Sequence, residues 1–586
     1  MGDERIHARA TSILHDLLGD DATFRTGQYE AIEATLLNRR TLVVQRTGWG
    51  KSLVYFVATK IRREDGHGPT VVVSPLISLM DNQLAAARKL GLTCEVLNGA
   101  VERGLRTQIL ESVRRGSVDL VFTTPETLFT PDVQTALNLT SVGLFVIDEA
   151  HCISDWGHDF RLEYTSLRSL LPRLAGVPLL ATTATATDAV IDDICQQLGG
   201  DVHVSRGPLV RDSLAIQTVR CATVTDKYAW LLANLDQMPG SGIVYCTTTH
   251  DCDRLAQLLE ENGIPARAYH AKREGKERAR TLELFNANQI KVLAATSALG
   301  MGYDKDDIAF VIHFQLPSSI VAYYQQIGRA GRGLERAYAI LLYGDHTDLH
   351  IQEHFIQSAF PTEQETLQVM ALMAASPSGL RFTDLLARVN MRRARLAKTL
   401  DFLQNDGFVT RIGSAYRATS RAFVYDREHY DAITARREEE LREMVAFAEG
   451  GGCLSQAVVG ALGDTTAPVC GRCANCLGQD VFRMRPATDE QRRIAGDFVD
   501  RDHLRIVPRK RWPSRELGRS MGDRSSIIRK PNEEGSCLTR LGWGTYGGQD
   551  GQAFGQGDRF GESLVDQSAR LLAPLVRQTG IAAVVP

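Results

Sequence analysis

A glycine-rich run that ends in lysine and serine is the first segment whose residue types could do chemistry. The run TGWGKS, residues 47–52, follows a short apolar stretch and precedes a helical pattern, which is the context of a phosphate-binding loop. Such a loop aims backbone N–H groups at phosphates from the start of a helix. Gln45 replaces the first glycine of the full pattern, so a strand–helix turn without nucleotide is an alternative for this run alone. The predicted nucleotide-binding residues are Thr47, Gly48, Gly50, Lys51 (for the β- and γ-phosphates) and Ser52 (for Mg²⁺).

Two further motifs carry groups that nucleotide hydrolysis needs. Asp148 and Glu149 follow a buried apolar run, so Asp148 can complete the Mg²⁺ shell and Glu149 can polarise the attacking water. Arg329 and Arg332 lie three residues apart on one helical face. A guanidinium that reaches a γ-phosphate across a cleft stabilises the charge of the transition state. We predict that Arg332 is this arginine finger and Arg329 its phosphate-side partner, with the two roles open to exchange.

Four of the eleven cysteines cluster with a spacing typical of a metal site. Cys453, Cys470, Cys473 and Cys476 supply four thiolates with two short chelating turns and one longer loop. Zn²⁺ prefers such a tetrahedral set, which is closed to water and therefore structural. An iron–sulfur cluster uses the same ligands and is an alternative. The other cysteines stand in unrelated settings, as expected for thiols in a reducing compartment.

The elements that must position these residues form two α/β units. Short β-branched runs alternate with longer amphipathic segments from about residue 20 to 205, and the pattern restarts from about 210 to 345. Runs that are apolar throughout are typical of strands buried on both faces of a parallel sheet. We therefore predict an α/β fold class with two successive doubly wound parallel-sheet lobes and a cleft between them.

A change of periodicity after about residue 350 indicates a different domain. Its predicted elements are helices over residues 362–375, 383–389 and 391–405 and a hairpin over 407–419 with its turn at Gly413-Ser414. This order outlines a winged helix, and the hairpin tip near Tyr416 is a candidate strand-splitting wedge. A solvated helix face beside a protein-docking wing is an equally good interpretation. Candidate DNA contacts from the helix over residues 391–405 are Arg392, Arg393, Arg395 and Lys398.

The predicted boundaries divide the chain into five parts. They are a first lobe over residues 1–207, a second lobe over 208–347, a winged-helix-like domain over 348–425, a charged helix with a small zinc-binding module over 426–482, and a poorly defined C-terminal region over 483–586. The last part contains a glycine-rich stretch over 542–561 and a helical segment over 562–579. The chain stops just after an apolar run at 581–585, so we expect a further domain to be missing.

Together these motifs resemble those of superfamily-two helicases. The segment AHCISDWGHDFRLEY, residues 150–164, is similar to the aromatic-rich loop of the RecQ family of DNA helicases, which is far more specific. Other agreeing segments are FRTGQ at 24–28, SPLISLMDNQ at 74–83, TTPE at 123–126, TATA at 183–186, TSALGMGYDK at 296–305 and the GxCxxC spacing of the cysteines. The resemblance covers about residues 15–345 and resumes at the cysteines.

The resemblance implies an ATP-dependent DNA helicase with two RecA-like lobes that uses ATP, Mg²⁺ and Zn²⁺. It implies 3′ to 5′ translocation on single-stranded DNA and unwinding of forked duplexes, in DNA repair or recombination. By the same resemblance Arg25 and Gln28 read the adenine edge, Thr183 and Thr185 link hydrolysis to lobe movement, and Gly302 and Asp304 face both ATP and DNA. The predicted DNA contacts, through phosphate binding and stacking, are Ser74, Pro75, Thr123, Thr124, Trp156, His158, Phe160, Arg161 and His270.

Three departures from the family pattern stand out. Residues 19–23 hold no aromatic side chain upstream of the adenine-reading pair, which predicts a loose base preference. Asp155 and Leu162 replace the family's Gln and Pro in the DNA-sensing loop, which predicts an altered strength of coupling. The zinc module follows the winged helix instead of preceding it. This order, with the TGWGKS run, is similar to RecQ-like proteins that carry a C-terminal phosphoribosyltransferase-like domain.

Composition limits the remaining classes. The 586 residues include 67 Lys and Arg and 70 Asp and Glu, with 44% hydrophobic and 23% charged residues, which excludes collagen, coiled coil and disorder. A net charge of -3 leaves DNA binding open, because binding needs only a local basic groove. No apolar run reaches about 18 residues, so we expect no membrane partner. The N-terminus lacks the apolar core of a signal peptide, which predicts a cytoplasmic protein.

Two other function classes fit the same motifs. One is a DNA-stimulated translocase or remodeller in a defence or repair system, which never separates strands. The other is a non-enzymatic DNA-binding scaffold, against which the intact nucleotide-site residues argue. An RNA substrate is also conceivable because motor lobes mostly contact the nucleic-acid backbone. Protein partners could bind the winged helix or the C-terminal region.

Overall fold

The structure is a computed structural model of the chain. It describes residues 2–37, 40–75, 77–137, 141–154, 164, 166–174, 176–199, 201–299, 303, 305–500, 504–506 and 535–537. These residues belong to two compact units, which are Met1–Arg220 with Asn234–Tyr343 and Arg427–Met484, and Cys221–Ala233 with Gly344–Asp426 and Arg485–Pro586. Among the described helices, no segment combines the length and the apolar character that a bilayer crossing needs.

The first lobe is built on a parallel sheet whose described part has seven strands. They are β1 (Arg40–Val44), β2 (Thr70–Val73), β3 (Cys94–Leu97), β4 (Leu120–Thr123), β5 (Leu144–Ile147), β6 (Leu179–Thr183) and β7 (Val202–Arg206). Their order across the sheet is β3-β4-β2-β5-β6-β1-β7, and every neighbouring pair is parallel. The helices of this lobe are Gly2–Leu18, Gln28–Leu36, Lys51–Glu64, Ile77–Lys89, Arg103–Arg114, Pro125–Leu128, Pro131–Leu137 and Asp188–Leu198.

The apolar runs become central strands because both faces of the sheet are covered. Leu42 and Val44 of β1 pack into one hydrophobic cluster, whereas Val43 between them packs into another. Successive side chains of a strand point to opposite faces. Strand β5 follows the same rule, with Phe145 in the first cluster and Val146 in the second. A polar residue inside either run would therefore be buried without a partner.

The second lobe has its own parallel sheet, of six strands within the described residues. They are β8 (Leu214–Arg220), β9 (Ser241–Tyr245), β10 (Ala266–Tyr269), β11 (Val292–Ala295), β12 (Ile308–His313) and β13 (Ala337–Tyr343), in the order β10-β11-β9-β12-β13-β8. Its helices in the same unit are Thr249–Glu261, Gly275–Asn286 and Ile320–Ile327. The predicted pair of parallel-sheet α/β lobes is confirmed.

The cysteine-bearing segment belongs to the same unit as the two lobes. Its helices are Arg427–Glu449, Leu454–Gly460 and Ala474–Leu477, and the first of them confirms the long charged helix predicted before Cys453. The ring of Phe447 lies 5.4 Å from that of Tyr323 in the second lobe. Gln217 of β8 donates to Asp480 at 2.6 Å, so the segment packs against the edge of the second sheet.

The second unit contains a small antiparallel sheet and a set of helices. Strands β14 (Leu380–Arg381), β15 (Val409–Ile412) and β16 (Ala415–Ala418) are arranged in the order β14-β16-β15. The helices are Val224–Asn234, His346–Gln357, Glu363–Ala374, Phe382–Leu386, Arg393–Asn405 and Asp489–Asp500. A separate antiparallel pair joins β17 (Leu504–Ile506) to β18 (Gly535–Cys537). The predicted hairpin turn at Gly413-Ser414 is confirmed, with Ile412 opposite Ala415; the name winged helix for this arrangement remains a prediction.

A buried ion pair fixes part of the second unit. The Lys227 ammonium lies 2.7 Å from both carboxylate oxygens of Asp348, and the two side chains are almost completely buried. Breaking such a pair by removing one partner leaves an uncompensated buried charge. The contact therefore ties helix Val224–Asn234 firmly to helix His346–Gln357.

Candidate nucleotide site and metal centre

The phosphate-binding loop has the backbone that its sequence predicts. Gly48 and Gly50 adopt φ angles of +78° and +95°, in the left-handed region that favours glycine. Helix Lys51–Glu64 begins directly after them, and Lys51 Nζ donates to the carbonyl oxygen of Gln45 at 2.9 Å. The pKa of Lys51 lies below its ordinary value, mainly because its ammonium is buried. The carboxylates of Glu149 and Asp148 raise this pKa, and the Arg332 guanidinium lowers it. The four groups predicted from separate motifs therefore share one electrostatic environment.

Asp148 is held at the carboxyl end of β5 by donors from three elements. Its Oδ1 accepts hydrogen bonds from Thr182 Oγ1 at 2.6 Å and from the Glu149 N–H at 3.1 Å. Its Oδ2 accepts from Gln83 Nε2 at 3.3 Å, and the same nitrogen lies 3.4 Å from Ser52 Oγ. The two predicted Mg²⁺ ligands, Ser52 and Asp148, thus meet around one amide group. Sequence reasoning quoted Gln83 only as the last letter of SPLISLMDNQ and assigned it no role.

A polar path leads from Glu149 to the second lobe. Glu149 has a φ of +51°, which is uncommon for a residue with a side chain, and its carboxylate lies 3.4 Å from His151 Nδ1. The same His151 nitrogen is 2.9 Å from Thr183 Oγ1, which accepts the Thr185 N–H at 3.2 Å. Gln325 of the second lobe donates to Thr185 Oγ1 at 3.0 Å. The two threonines therefore lie between the predicted base and helix Ile320–Ile327, which ends before Arg329 and Arg332, so the prediction that the two arginines share a helical face is wrong.

The two predicted arginines have different surroundings. The side chain of Arg332 packs against the phosphate-binding loop. A β-carbon added to Gly48 would lie 3.7 Å from Arg332 Cγ, which is van der Waals contact. Thr47 Oγ1 also donates to the Gly328 carbonyl at 3.0 Å. Arg329 is buried, and its Nη1 donates to the carbonyl of Tyr303 at 2.9 Å. The geometry favours Arg332 as the finger and gives Arg329 a place inside the second lobe.

Arg25 and Gln28 contact the phosphate-binding loop itself. The Arg25 guanidinium donates to the Gly48 carbonyl, and Gln28 Nε2 donates to the Trp49 carbonyl at 2.7 Å. Gln28 Oε1 accepts the Arg25 N–H, also at 2.7 Å. These two residues therefore hold the loop, and their predicted contact with adenine stays a prediction. Trp49 is buried and donates to the Thr26 carbonyl at 3.2 Å, so the residue that looked too large for the loop is a structural anchor.

Several residues predicted to contact DNA are buried in this structure, and their contacts with DNA stay predictions. Ser74, Thr123 and Thr124 are buried where β2 and β4 end, and Thr124 Oγ1 accepts the Thr127 N–H as a helix cap. His270 is also buried, with Nε2 2.9 Å from Asp253 Oδ1. Of this group Pro75 is the one partly exposed residue among those described. Trp156, His158, Phe160, Arg161, Gly302 and Asp304 lie outside the described residues.

The basic residues of the second unit divide into two kinds. Arg392 and Arg393 are exposed at the start of helix Arg393–Asn405, with the Arg393 guanidinium 4.9 Å from the centre of the Phe382 ring. Arg395 forms a bidentate ion pair with Glu365, with both N–O distances at 2.7 Å, and its contact with DNA stays a prediction. The side chain of Tyr416 is buried on the sheet, and the wedge role of the hairpin tip near it stays a prediction.

The four predicted metal ligands converge. The Sγ atoms of Cys453, Cys470, Cys473 and Cys476 all lie within 4.8 Å of one another. Backbone N–H groups point at the sulfurs, including those of Leu454 to Cys473 and of Cys470 to Cys453. Burial opposes ionisation, yet the N–H donors of Cys470 and Gln456 lower the pKa of Cys453 to about 7. A tetrahedral site with Zn–S bonds of about 2.3 Å fits these separations.

The cysteine segment is tied to the lobes by arginines. Arg472, between two of the cysteines, donates to the backbone carbonyl and the carboxylate of Asp212 at 2.5 and 2.6 Å. Arg206, at the end of β7, donates to the Leu462 carbonyl at 2.6 Å and to Asp188 at 2.5 Å. The segment therefore contacts the first lobe, the connection between the lobes and the second lobe.

Family profiles match three parts of the chain. They are "DEAD/DEAH box helicase" over residues 25–194, "Helicase conserved C-terminal domain" over 226–333 and "RecQ zinc-binding" over 417–477. The second and third matches are separated by residues 334–416, where the small antiparallel sheet lies. The zinc match includes all four converging cysteines.

Curated relatives share the same region. The ATP-dependent DNA helicase RecQ of Pasteurella multocida is 37% identical over 344 residues, which cover 58% of this chain and 53% of the relative. The probable ATP-dependent DNA helicase RecS of Bacillus subtilis is 35% identical over 354 residues, which cover 60% of this chain and 70% of the relative. The chain spans about half the length of the first of these relatives.

A solved structure shares the fold. The DUF1998 helicase MrfA bound to DNA superposes with a TM-score of 0.50 at 17% identity, over 72% of this chain and 60% of that one. A likeness at this identity concerns the architecture of the lobes alone.

Proposed function

The chain belongs to the RecQ family of ATP-dependent DNA helicases, and we propose that it hydrolyses ATP to move along single-stranded DNA and to unwind forked duplexes. We include in this proposal the 3′ to 5′ direction, a role in DNA repair or recombination, and a cytoplasmic location. The chain's own residues support the hydrolysis step most directly, and the DNA steps follow from the family.

The observation that carries the proposal is the meeting of four groups from two lobes. Lys51, Asp148 and Glu149 come from the first lobe, and Arg332 comes from the second and packs against Gly48. The loop N–H groups and Lys51 would hold the phosphates, while Ser52 and Asp148 would hold Mg²⁺, which supplies neutralising charge when bound. Arg332 adds a positive charge where negative charge develops only if the lobes are together.

The polar path from Glu149 to Gln325 supports a link between hydrolysis and lobe position. A movement of the Glu149 carboxylate would change its contact with His151. Hydrogen bonds then connect His151 to Thr183 and Thr183 to Thr185. The Gln325 amide at the end of this path belongs to the helix that precedes Arg332. Parting of the lobes therefore breaks the path at one defined hydrogen bond.

The DNA contacts within this proposal come from exposed cations and from the aromatic-rich loop. Arg392 and Arg393 offer sequence-independent phosphate contacts. The resemblance to the RecQ family implies stacking by Trp156 and Phe160, and those contacts stay predictions. The closed set of four thiolates suits a structural Zn²⁺, and an exposed wing is a candidate surface for protein partners.

The experiment that tests the function measures ATP turnover and, in parallel, the separation of duplex DNA strands. We expect single-stranded DNA to stimulate hydrolysis more than single-stranded RNA or duplex DNA. We expect a forked duplex with a 3′ tail to be unwound, and a duplex with only a 5′ tail to stay intact. ATP hydrolysis without strand separation would favour a translocase over a helicase. Failure to bind or hydrolyse ATP would favour a non-enzymatic DNA-binding scaffold.

A further inference from the structure

A buried polar cluster lies behind the nucleotide site and has no role in the proposed chemistry so far. Its centre is Gln83 on helix Ile77–Lys89, and its other members are Tyr55 on the P-loop helix and Thr182 on β6. All three side chains are buried. Buried polar groups cost free energy unless they are paired, so each of them calls for a physical reason.

The amide nitrogen of Gln83 joins the two predicted cation ligands. It lies 3.4 Å from Ser52 Oγ and 3.3 Å from Asp148 Oδ2. Ser52 begins a helix and Asp148 ends a strand, so their separation is not set by any local stretch of backbone. Thr182 fixes the other carboxylate oxygen at 2.6 Å. Together the two donors determine the position and rotation of the Asp148 carboxylate.

Two polar atoms of the cluster are left over. Gln83 Oε1 and the Tyr55 hydroxyl are both buried, and neither has a hydrogen-bond partner among the described residues. Leaving such a group unsatisfied costs free energy of desolvation. The Tyr55 hydroxyl lies close to the side chains of Ser52 and Gln83, and so close to one of the two predicted cation ligands. Mg²⁺ usually keeps several water ligands in protein sites, and such waters can satisfy polar atoms of this kind.

We propose that Gln83, with Tyr55 behind it, is a positioning residue for the divalent cation of the nucleotide site. Its amide nitrogen sets the separation of Ser52 and Asp148, and its carbonyl oxygen and the Tyr55 hydroxyl accept or donate hydrogen bonds to water around the cation. The inference rests on the proposed function, and it adds two residues that contact the ligands rather than the cation.

The first measurement is cation binding without turnover. Mn²⁺ serves as the probe, and its binding is followed by electron paramagnetic resonance in the presence of a non-hydrolysable ATP analogue. We expect Gln83→Met, which keeps the length of the side chain, to weaken Mn²⁺ binding about 10-fold or more, because outer-shell partners of metal ligands commonly contribute that much. Binding of the analogue in EDTA should stay the same. Gln108→Met, on an exposed position of the same lobe, is the matched control.

The second measurement is the Mg²⁺ requirement of ATP turnover. We expect the Mg²⁺ concentration for half-maximal rate to rise about 10-fold in Gln83→Met and to rise less in Tyr55→Phe, while saturating Mg²⁺ restores most of the rate. A purely structural role would instead lower the rate at every Mg²⁺ concentration. Unchanged Mn²⁺ binding and an unchanged Mg²⁺ requirement in Gln83→Met would overturn the inference, even with an active wild type.

The outcomes separate this inference from the function on which it rests. A wild-type chain that neither binds the analogue nor hydrolyses ATP would remove the proposed function itself. If Gln83→Met fails to fold, Tyr55→Phe decides, since it deletes one hydroxyl and keeps the buried ring. A wild-type Mg²⁺ requirement in that variant would then count against the proposal.

Discussion

The nucleotide site and the cysteine site are assembled in opposite ways. The first collects Lys51, Asp148 and Arg332 from strand ends and helix starts of two lobes. The second gathers its four sulfurs from one stretch between Cys453 and Cys476. A site spread over two lobes changes whenever the lobes move, whereas a local chelate keeps its geometry. Lobe movement would therefore alter the nucleotide site, whereas the cysteine site would keep its geometry and suits a structural role.

The largest expected effect comes from a variant that disrupts only the nucleotide site. Lys51→Ala should reduce DNA-stimulated ATP turnover to background, because no other described cation lies beside the loop in the position of its ammonium. Zinc content and thermal stability should match the wild type, since Lys51 is remote in sequence from the cysteines. The exposed Lys89 on the same lobe supplies the control variant Lys89→Ala. Turnover that persists in Lys51→Ala would refute the site.

The two arginines sharpen the comparison within the second lobe. Arg332→Ala should lower kcat by about 10³-fold with little change in melting temperature, as expected for a finger that acts on the transition state. Arg329→Ala should instead lower the melting temperature, because Arg329 is buried and donates to the Tyr303 carbonyl. A kinetic and calorimetric comparison of the two variants checks both statements. Equal effects on kcat and stability in the two variants would contradict the division of roles.

Removing one thiolate tests whether the local site is only a support. Cys473→Ser should abolish stoichiometric zinc, because a closed structural site needs all four ligands. We expect a lower melting temperature and only a several-fold loss of ATP turnover in the protein that remains folded. Metal analysis with a thermal melt is the measurement, and Cys195→Ser is the control outside the cluster. Iron in place of zinc would favour the cluster alternative.

The smallest expected effect concerns an ion pair in neither site. The Arg395 hydrogen bonds lower the pKa of Glu365 below its ordinary value of 4.5. A carboxylate with a lowered folded-state pKa stabilises above its unfolded pKa, and that stabilisation is lost as the pH falls through the folded pKa. Arg395→Met should therefore cost about 1–3 kcal/mol at pH 7 and less at pH 3.

Urea unfolding at both pH values measures the difference. Part of the cost should remain in acid, because Arg395 also donates to the backbone carbonyls of Ser358 and Phe360 at 2.8 Å. A difference between variant and wild type that does not change with pH would assign the whole effect to those carbonyl bonds.

The sheets were predictable because burial on both faces leaves a simple pattern. Runs such as Leu42 to Val44 are apolar at every position, and each became a strand flanked by two hydrophobic clusters. The cysteines were predictable for a similar reason, since chelation by short turns depends on sequence spacing. Both features are local, so one chain without relatives is enough to reveal them.

The sequence could not predict the surroundings of side chains whose contacts depend on the finished fold. Ser74 and Thr123 end strands at the expected edge, but they are buried where those strands end. Arg395 sits among DNA-binding candidates in sequence, yet a helix-capping glutamate lies within its reach. Gln83 was missed for the converse reason, because an amide in a helix has no signature until its neighbours are known. In sequence, Arg25 and Gln28 resemble residues that recognise adenine. Only the fold shows that the backbone carbonyls of the phosphate-binding loop lie within hydrogen-bonding distance of both side chains.

The hydrogen bonds between the lobes have a consequence for speed. Thr47 to the Gly328 carbonyl and Gln325 to Thr185 are ordinary side-chain bonds, each with a net contribution of about 0.5–1.5 kcal/mol. Contacts of this strength break and re-form readily, so these two bonds do not lock the seam. If the chain moves along DNA as proposed, breaking these two hydrogen bonds would take little of the free energy of nucleotide hydrolysis.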